Sequence, residues 1–288
     1  MIAALGRLWP TLGLLYGATY WGVVWYPTRI LEGMGMQGPW LTLLSYGAAF
    51  LVFTPFARFS TGRLRQQPRD ALVLLLAAGW TNVAFVLAVI EGEVVRVVLL
   101  FYLSPIWTVL FGRWLLHEAL SPRSWLMLGL GMCGALVMLW DPAVGRVPLS
   151  RADVLAASAG LAFALNNVMT RRITTLAVRE KTYIAWLGVV VVSALMVLLW
   201  FPQVPQAAAV AWWATIALGV FGFLLSTLAV VYGVTHMPVQ RSAVIMLFEL
   251  VVGAATAWWL AGELISPQEW IGGALILSAA MIAIFQEE

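Results

Sequence analysis

The chain reads as long apolar runs cut at near-regular intervals by short clusters of charge, proline and glycine. Runs such as Ala71 to Ile90 and Thr182 to Phe201 stay apolar for about 20 residues, the length a helix needs to cross about 30 Å of hydrocarbon. Strands of a membrane barrel would alternate polar and apolar positions over about ten residues instead. The punctuation therefore predicts helices at 10–31, 39–57, 71–90, 95–115, 125–140, 153–173, 182–201, 211–234, 242–261 and 270–285. The first run follows Arg7, but it is too long for the apolar core of a leader and has no small-residue cleavage site, so it is expected to be the first transmembrane helix.

Composition agrees with an all-α membrane protein. Apolar residues make up 62% and charged residues 10% of the chain, against about 45–50% and about 25% in soluble domains, so a water-soluble domain is excluded. Of the 16 Trp, those at helix ends (Trp9, Trp40, Trp125, Trp140, Trp200, Trp212, Trp213 and Trp270) are expected to be interfacial anchors, as is Trp25 near the end of the first helix. Cys133 is the single cysteine and cannot form an intrachain disulfide.

Charge sets an orientation. With the N-terminus in the cytoplasm, inside loops hold Arg7, Arg58, Arg63, Arg65, Arg69, Arg113, Arg123, Arg171, Arg172, Arg179, Lys181 and Arg241, while outside loops hold Arg29, Arg96, Arg146 and Arg151. This bias obeys the positive-inside rule for short loops and puts both termini in the cytoplasm. The basic residues are thereby explained by topology, and there is no basic domain outside the membrane to bind nucleic acid. Arg96 follows Glu91 and Glu93 and is expected in a solvated surface pair.

Shifting the chain by 145 residues superposes Arg96 to Trp140 on Arg241 to Phe285 without a gap. Glu118, Ser121, Pro122 and Trp125 then meet Glu263, Ser266, Pro267 and Trp270, so both copies read E-x-x-S-P-x-x-W. The implied organisation is two five-helix halves, 1–145 and 146–288. An odd number of helices makes the second half enter the membrane from the opposite side, which gives two inverted five-helix repeats around a central cavity, the architecture of secondary transporters. A duplication kept only for a stable bundle is the bland alternative.

The repeated stretch from Leu103 to Pro122 (L-S-P-I-W-T-V-L-F-G-R-W-L-L-H-E-A-L-S-P) and its partner from Phe248 to Pro267 resemble the signature of the EamA family in the drug/metabolite transporter superfamily. Ser104-Pro105, Glu118, Glu249 and Glu263 carry the match. One departure is Leu250, which stands where the second copy of the family pattern usually has proline, so the pattern gives helix nine less reason to bend than Pro105 gives helix four. Within the superfamily, Trp21, Trp80 and Tyr102-Leu103-Ser104-Pro105 are similar to the cavity aromatics of YddG-type exporters of aromatic and other neutral amino acids. The resemblance implies export of such metabolites across a bacterial inner membrane.

The residues themselves offer a candidate site. Glu249 lies well inside a predicted span, eight residues past Arg241, where a charge costs at least about 2.5–3.5 kcal/mol. It reads as a partner for a substrate amine, as a proton carrier, or as a protonated packing group. Phe163, Asn166, Asn167 and Thr170 share a face of helix six that lipid would reject; the amides would bond a zwitterionic ligand or glue helices together. Trp80 and Asn82 on helix three, Tyr102 and Ser104 on helix four, and Trp21 on helix one complete the expected cavity lining. Pro105 removes a backbone donor and suits a bend or gate. Glu118 and Glu263 precede Ser-Pro and are expected to fix turns.

His117 and His236 are isolated, so no metal site is read, and no cofactor motif, P-loop, G-x-S-x-G or H-E-x-x-H is present. The expected partners are a small-molecule substrate, amino acids first, and the lipid bilayer; a monomer is compatible with the pattern. The competing readings are a drug, nucleobase or other metabolite transporter of the same superfamily, an intramembrane enzyme, and a non-transporting scaffold or lipid-handling protein.

Overall fold

The computed structural model describes residues 2–57, 61–141 and 148–285. Arg58 and Arg146, counted in the charge asymmetry, lie outside the described residues, as does the side chain of Arg7. The described chain is helical throughout, without strands. Its elements are α1 (Ile2–Val23), α2 (Trp25–Gly33), α3 (Gly38–Ala57), a single turn α4 (Thr61–Leu64), α5 (Pro68–Glu91), α6 (Val94–Phe101), α7 (Ser104–Phe111), α8 (Pro122–Met138), α9 (Arg151–Arg172), α10 (Val178–Trp200), α11 (Ala209–Ala217), α12 (Leu224–His236), α13 (Val239–Met246), α14 (Phe248–Ala261) and α15 (Pro267–Phe285). π-helical turns at Gly112–Leu116 and Leu218–Phe223 extend α7 and join α11 to α12.

Local chemistry starts α5, α8, α9 and α15 two or three residues ahead of the expected 71, 125, 153 and 270. Pro68 and Pro122 occupy first turns, where the missing N–H is no loss. At α9 the Ser150 hydroxyl accepts from the Asp153 N–H (3.3 Å) while the Asp153 carboxylate accepts from the Ser150 N–H (2.6 Å), a reciprocal cap. Ser266 and Glu269 make the same cap at α15.

Among the described residues, eight helical stretches are long and apolar enough to cross a membrane: 38–57, 68–91, 94–116, 151–172, 178–200, 209–236, 239–261 and 267–285. The sequence predicts ten. Of the other two, α8 has 17 residues, about 26 Å at 1.5 Å per residue and short of the full hydrocarbon thickness. The first predicted span is divided at Val24 into α1 and α2.

Packing repeats with the chain. Helix α9 packs on α5, α6 and α7, and α1 packs on α12, α13 and α14. A shift of 145 residues carries the first three partners onto the second three, so each half lends one helix to the other. Helices α8 and α15 pair with each other, and a Cβ on Gly134 would lie 2.7 Å from the Gly272 carbonyl oxygen. Small residues allow such approach where lipid gives helices no hydrophobic reason to associate.

Spans four and nine break at equivalent places. Helix α6 ends at Phe101 and α7 starts at Ser104; α13 ends at Met246 and α14 starts at Phe248, so Tyr102 and Leu247, 145 residues apart, both sit at breaks. Pro105 accounts for the first. The second forms without proline, contrary to what Leu250 suggests, because Leu247 donates to the Val244 carbonyl (3.1 Å) and Leu250 donates to the Leu247 carbonyl (3.0 Å), tightening the turn to three-residue bonds.

The arginine-rich end is tied by Arg63–Glu180 (3.0 Å), Arg172–Asp70 (3.3 Å) and Arg171–Glu118 (3.6 Å). Two expectations about charge are corrected. Lys181, read as a loop charge, is buried, and its ammonium donates to the Thr170 carbonyl at the end of α9 (2.7 Å) and to the Thr235 hydroxyl (3.3 Å), where cations suit helix C-termini. Arg96, read as solvated, is buried at the opposite end against Asp153 at 2.6 Å, because α9 closes over the start of α6.

Candidate functional site

Mid-bundle, the two helix breaks face one another. Tyr102 at the end of α6, Ser104, Pro105 and Thr108 on α7, Phe163 on α9, and Met246, Leu247 and Glu249 around the α13–α14 break line one cavity with Phe101 and Ala243. The Tyr102 hydroxyl donates to the Glu249 carboxylate. Each break thus supplies one member of a polar pair, although the repeat itself aligns Glu249 with Ser104. The cavity is ≈ 20 Å³, room for about one water and not for a metabolite. At the end opposite the arginines, a groove of ≈ 530 Å³ is lined by Glu32, Met36, Gln37, Ile90 and Phe201.

Glu249 sits in the first turn of α14, where the positive end of the helix dipole favours a carboxylate. Among the described residues no cation is within ion-pair distance of it. One turn beyond Phe163 on the same face of α9, the side-chain carbonyl of Asn166 is buried and has no hydrogen-bond partner among the described residues. Glu249, an acceptor without a cation beside Phe101 and Phe163, suits a ligand that brings its own charged or polar N–H groups on an apolar body.

The expected lining residues divide into three groups. Tyr102, Ser104, Phe163 and Glu249 meet in the cavity, with Pro105 at the break beside them. Trp21 and Asn82 lie next door: Trp21 packs its ring 5.2 Å from Phe223, and Asn82 faces Tyr46 while its amide donates to the Ala78 carbonyl. Trp21 also touches the cluster containing Leu103 and Met246, and a Cβ on Gly22 would meet the Glu249 carbonyl oxygen at 2.6 Å, so α1 walls the cavity on that side. Neither Asn166 nor Asn167 is among the residues that line the cavity; Asn167 is buried on α9.

Trp80 is placed elsewhere. It is 43% exposed on the outside of α5, with its indole N–H donated to Ser158 at 3.1 Å. The reason is helical period: Trp80 and Asn82 are two residues apart, about 200° around the axis, so they cannot share a face. The turn glutamates also part company. Glu118 accepts from the Val239 N–H (3.0 Å) and reaches Arg171, pinning the start of α13. Burial raises its pKa from the ordinary carboxylate value, opposed by Val239 and Arg171. Glu263 is exposed, and the nearby cap belongs to Glu269.

Most of the end-of-helix tryptophans are exposed, Trp9, Trp125, Trp140, Trp200, Trp213 and Trp270 among them. Trp40 and Trp25 also tie helices, through the Phe201 carbonyl (3.1 Å) and the Thr256 hydroxyl (3.0 Å). Sequence reasoning passed over Tyr20, Tyr46, Trp186 and Phe223, which form one aromatic cluster. Tyrosines in the middle of two predicted spans were the available signal. No group of His, Cys, Asp and Glu able to hold a metal occurs among the described residues.

Comparison with known proteins adds the following. The model of the EamA-like transporter family matches residues 8–140 and again residues 150–285. An uncharacterized transporter of Archaeoglobus fulgidus is 26% identical over 250 residues, covering 84% of this chain and 85% of that protein. A riboflavin transporter of Rhizobium johnstonii is 24% identical over 295 residues, covering 99% and 92%. A solved structure described as a crystal structure of protein aligns over 95% of this chain and 96% of its own with a TM-score of 0.80 at 21% identity, a likeness of fold.

Proposed function

The chain belongs to the EamA-like transporter family and is a membrane transporter, and from that premise we propose that it is a secondary exporter of neutral amino acids, aromatic ones first. It works as ten spans in two inverted repeats of the bacterial inner membrane, with both termini cytoplasmic. The observation that carries this reading is the Tyr102–Glu249 contact, made between one helix break from each half of the chain. Broken helices at mid-membrane, paired through a buried carboxylate, are where transporters of inverted-repeat design hold substrate.

The exchange of α1 and α9 between halves supports the mechanism. In a pseudo-two-fold bundle, whatever one half does facing inward the other does facing outward, so rocking about the central site gives alternating access. Glu249 would take the substrate's ammonium, with Phe101 and Phe163 walling the same cavity. A substrate larger than the ≈ 20 Å³ cavity would be admitted as α7 and α14 part.

The test is counterflow in proteoliposomes with labelled Phe, Trp, Met and Thr against Lys and Glu. Saturable movement of the neutral set is expected, with Glu249→Gln lowering it about 10- to 100-fold, the scale of a lost charged hydrogen bond. Folded protein that moves none of the neutral set would sink the amino-acid reading. A second reading, transport of a flavin-like heteroaromatic metabolite, is favoured by the full-length similarity to the Rhizobium johnstonii protein.

A further inference from the structure

Beside the Glu249 cavity lies a cluster of rings around which the fold leaves three polar atoms unused. Tyr46 stacks on Phe223 (4.9 Å, 22°), and Tyr20 and Trp21 meet the same ring at 5.8 and 5.2 Å. Trp186 completes the cluster and is fully buried. Its indole N–H, the Tyr20 hydroxyl and the Thr227 hydroxyl are all buried without a hydrogen-bond partner among the described residues. Thr227 stands on α12 between Leu224 and Leu228, both of which pack against these rings. A buried polar group without a partner costs about 1–3 kcal/mol, so three around one ring cluster mark a place for a partner that comes and goes.

The backbone here is built to the same purpose. A π-helical turn, Leu218–Phe223, interrupts the span at Phe223, and such turns concentrate at functional sites. Gly222 within it leaves room for the Tyr20 hydroxyl, since a Cβ there would lie 2.1 Å from that oxygen. Trp21 packs both in this cluster and in the one bordering the Glu249 cavity, so the two adjoin.

The chemistry of the unused groups narrows the ligand. An indole N–H only donates, whereas the two hydroxyls donate or accept. Ring faces suit a flat π system, and the complement of the polar atoms is a ring with a hydrogen-bond acceptor on its edge. A plain phenyl ring would leave all three groups orphaned. We propose that Tyr20, Trp21, Tyr46, Trp186, Phe223 and Thr227 form a ring subsite that selects edge-polar rings over plain phenyl while Glu249 holds the substrate's amine. This rests on the transport reading above and adds the determinant of specificity to it.

The experiment compares tyrosine with phenylalanine, which differ by one hydroxyl, for binding to purified protein in nanodiscs. Tyrosine is expected to bind at least about tenfold tighter. Tyr20→Phe and Trp186→Phe should each weaken tyrosine binding about 2- to 10-fold and narrow its advantage over phenylalanine. Tyr20→Phe removes one oxygen without opening a cavity, so its free protein should melt no lower than wild type. Equal affinities in wild type, or a tyrosine preference untouched by both substitutions, would overturn the subsite while leaving amino-acid transport standing. Labelled uracil, an acceptor-bearing ring without an amine, separates the two ideas. Uracil binding that falls in Trp186→Phe, with no amino acid moved, keeps the subsite and removes the amino-acid reading. Folded protein that binds neither tyrosine nor uracil overturns the subsite.

Discussion

Replacing Arg96 by Met tests whether the end opposite the arginine-rich one is closed by a buried charge pair. The guanidinium lies 2.6 Å from the Asp153 carboxylate, and the two side chains are 9% and 4% exposed. At that separation and an effective dielectric near 20, attraction is about 6 kcal/mol, offset by the desolvation of both ions. Removing one partner strands the other, which costs about 3–5 kcal/mol. The Asp153 carboxylate keeps its bonds to the Ser150 N–H and hydroxyl, so the lower half of that range is expected. At about 2 °C per kcal/mol for a chain of this size, Arg96→Met should melt about 6–8 °C below wild type in detergent. Asp153→Asn added to it should restore part of the loss, because the stranded charge is gone, and a double-mutant cycle should return a coupling of about 1–3 kcal/mol. An Arg96→Met shift under about 1 °C, or strictly additive losses, would refute the reasoning and return Arg96 to the solvated surface.

Gly188→Ala should lower the melting temperature by the equivalent of about 1–3 kcal/mol, since its Cβ would stand 1.9 Å from the Leu75 carbonyl oxygen and α5 and α10 must separate; Gly47→Ala, which meets nothing within 4 Å, should not lower it. Glu118 has a pKa raised by burial, so the folded state binds its proton more tightly than the unfolded one, and stability falls as pH rises from about 4.5 toward its folded value. Glu118→Gln should flatten that part of a melting-temperature profile, and an unchanged profile would count against the burial of the carboxyl. Ser104→Cys, made in Cys133→Ser to remove the exposed native thiol, should react with a small polar thiol reagent and be protected by substrate. Protection of Trp80→Cys with none at position 104 would move the site to the outside of α5.

The sequence by itself determined the class of structure and its internal repeat. Unbroken apolar runs admit only helices across hydrocarbon, since every backbone N–H and C=O must then be satisfied within its own segment. The Ser-Pro and Ser-x-x-Asp/Glu caps start α8, α9 and α15 two or three residues before the expected 125, 153 and 270, because such caps act within one turn of chain. Tyr102, Ser104, Phe163 and Glu249 were legible as a candidate site because polar groups deep in a span have no partner in lipid and must face inward.

Tertiary structure decided what depends on neighbours far along the chain. Helix α9 buries Arg96, α10 carries Lys181 in among α9 and α12, and nothing in the local pattern around either cation reports that closure. The repeat aligns Glu118 with Glu263, yet one pins α13 and the other is exposed, since the partner helices differ at the two ends. The pairing of Tyr102 with Glu249 and the grouping of Tyr20, Tyr46, Trp186 and Phe223 were likewise set by packing. A helix pattern fixes which residues share a face with a 3.6-residue period, but which face meets which is fixed by close approach of helices from both halves, here through glycines at contacts a side chain would forbid.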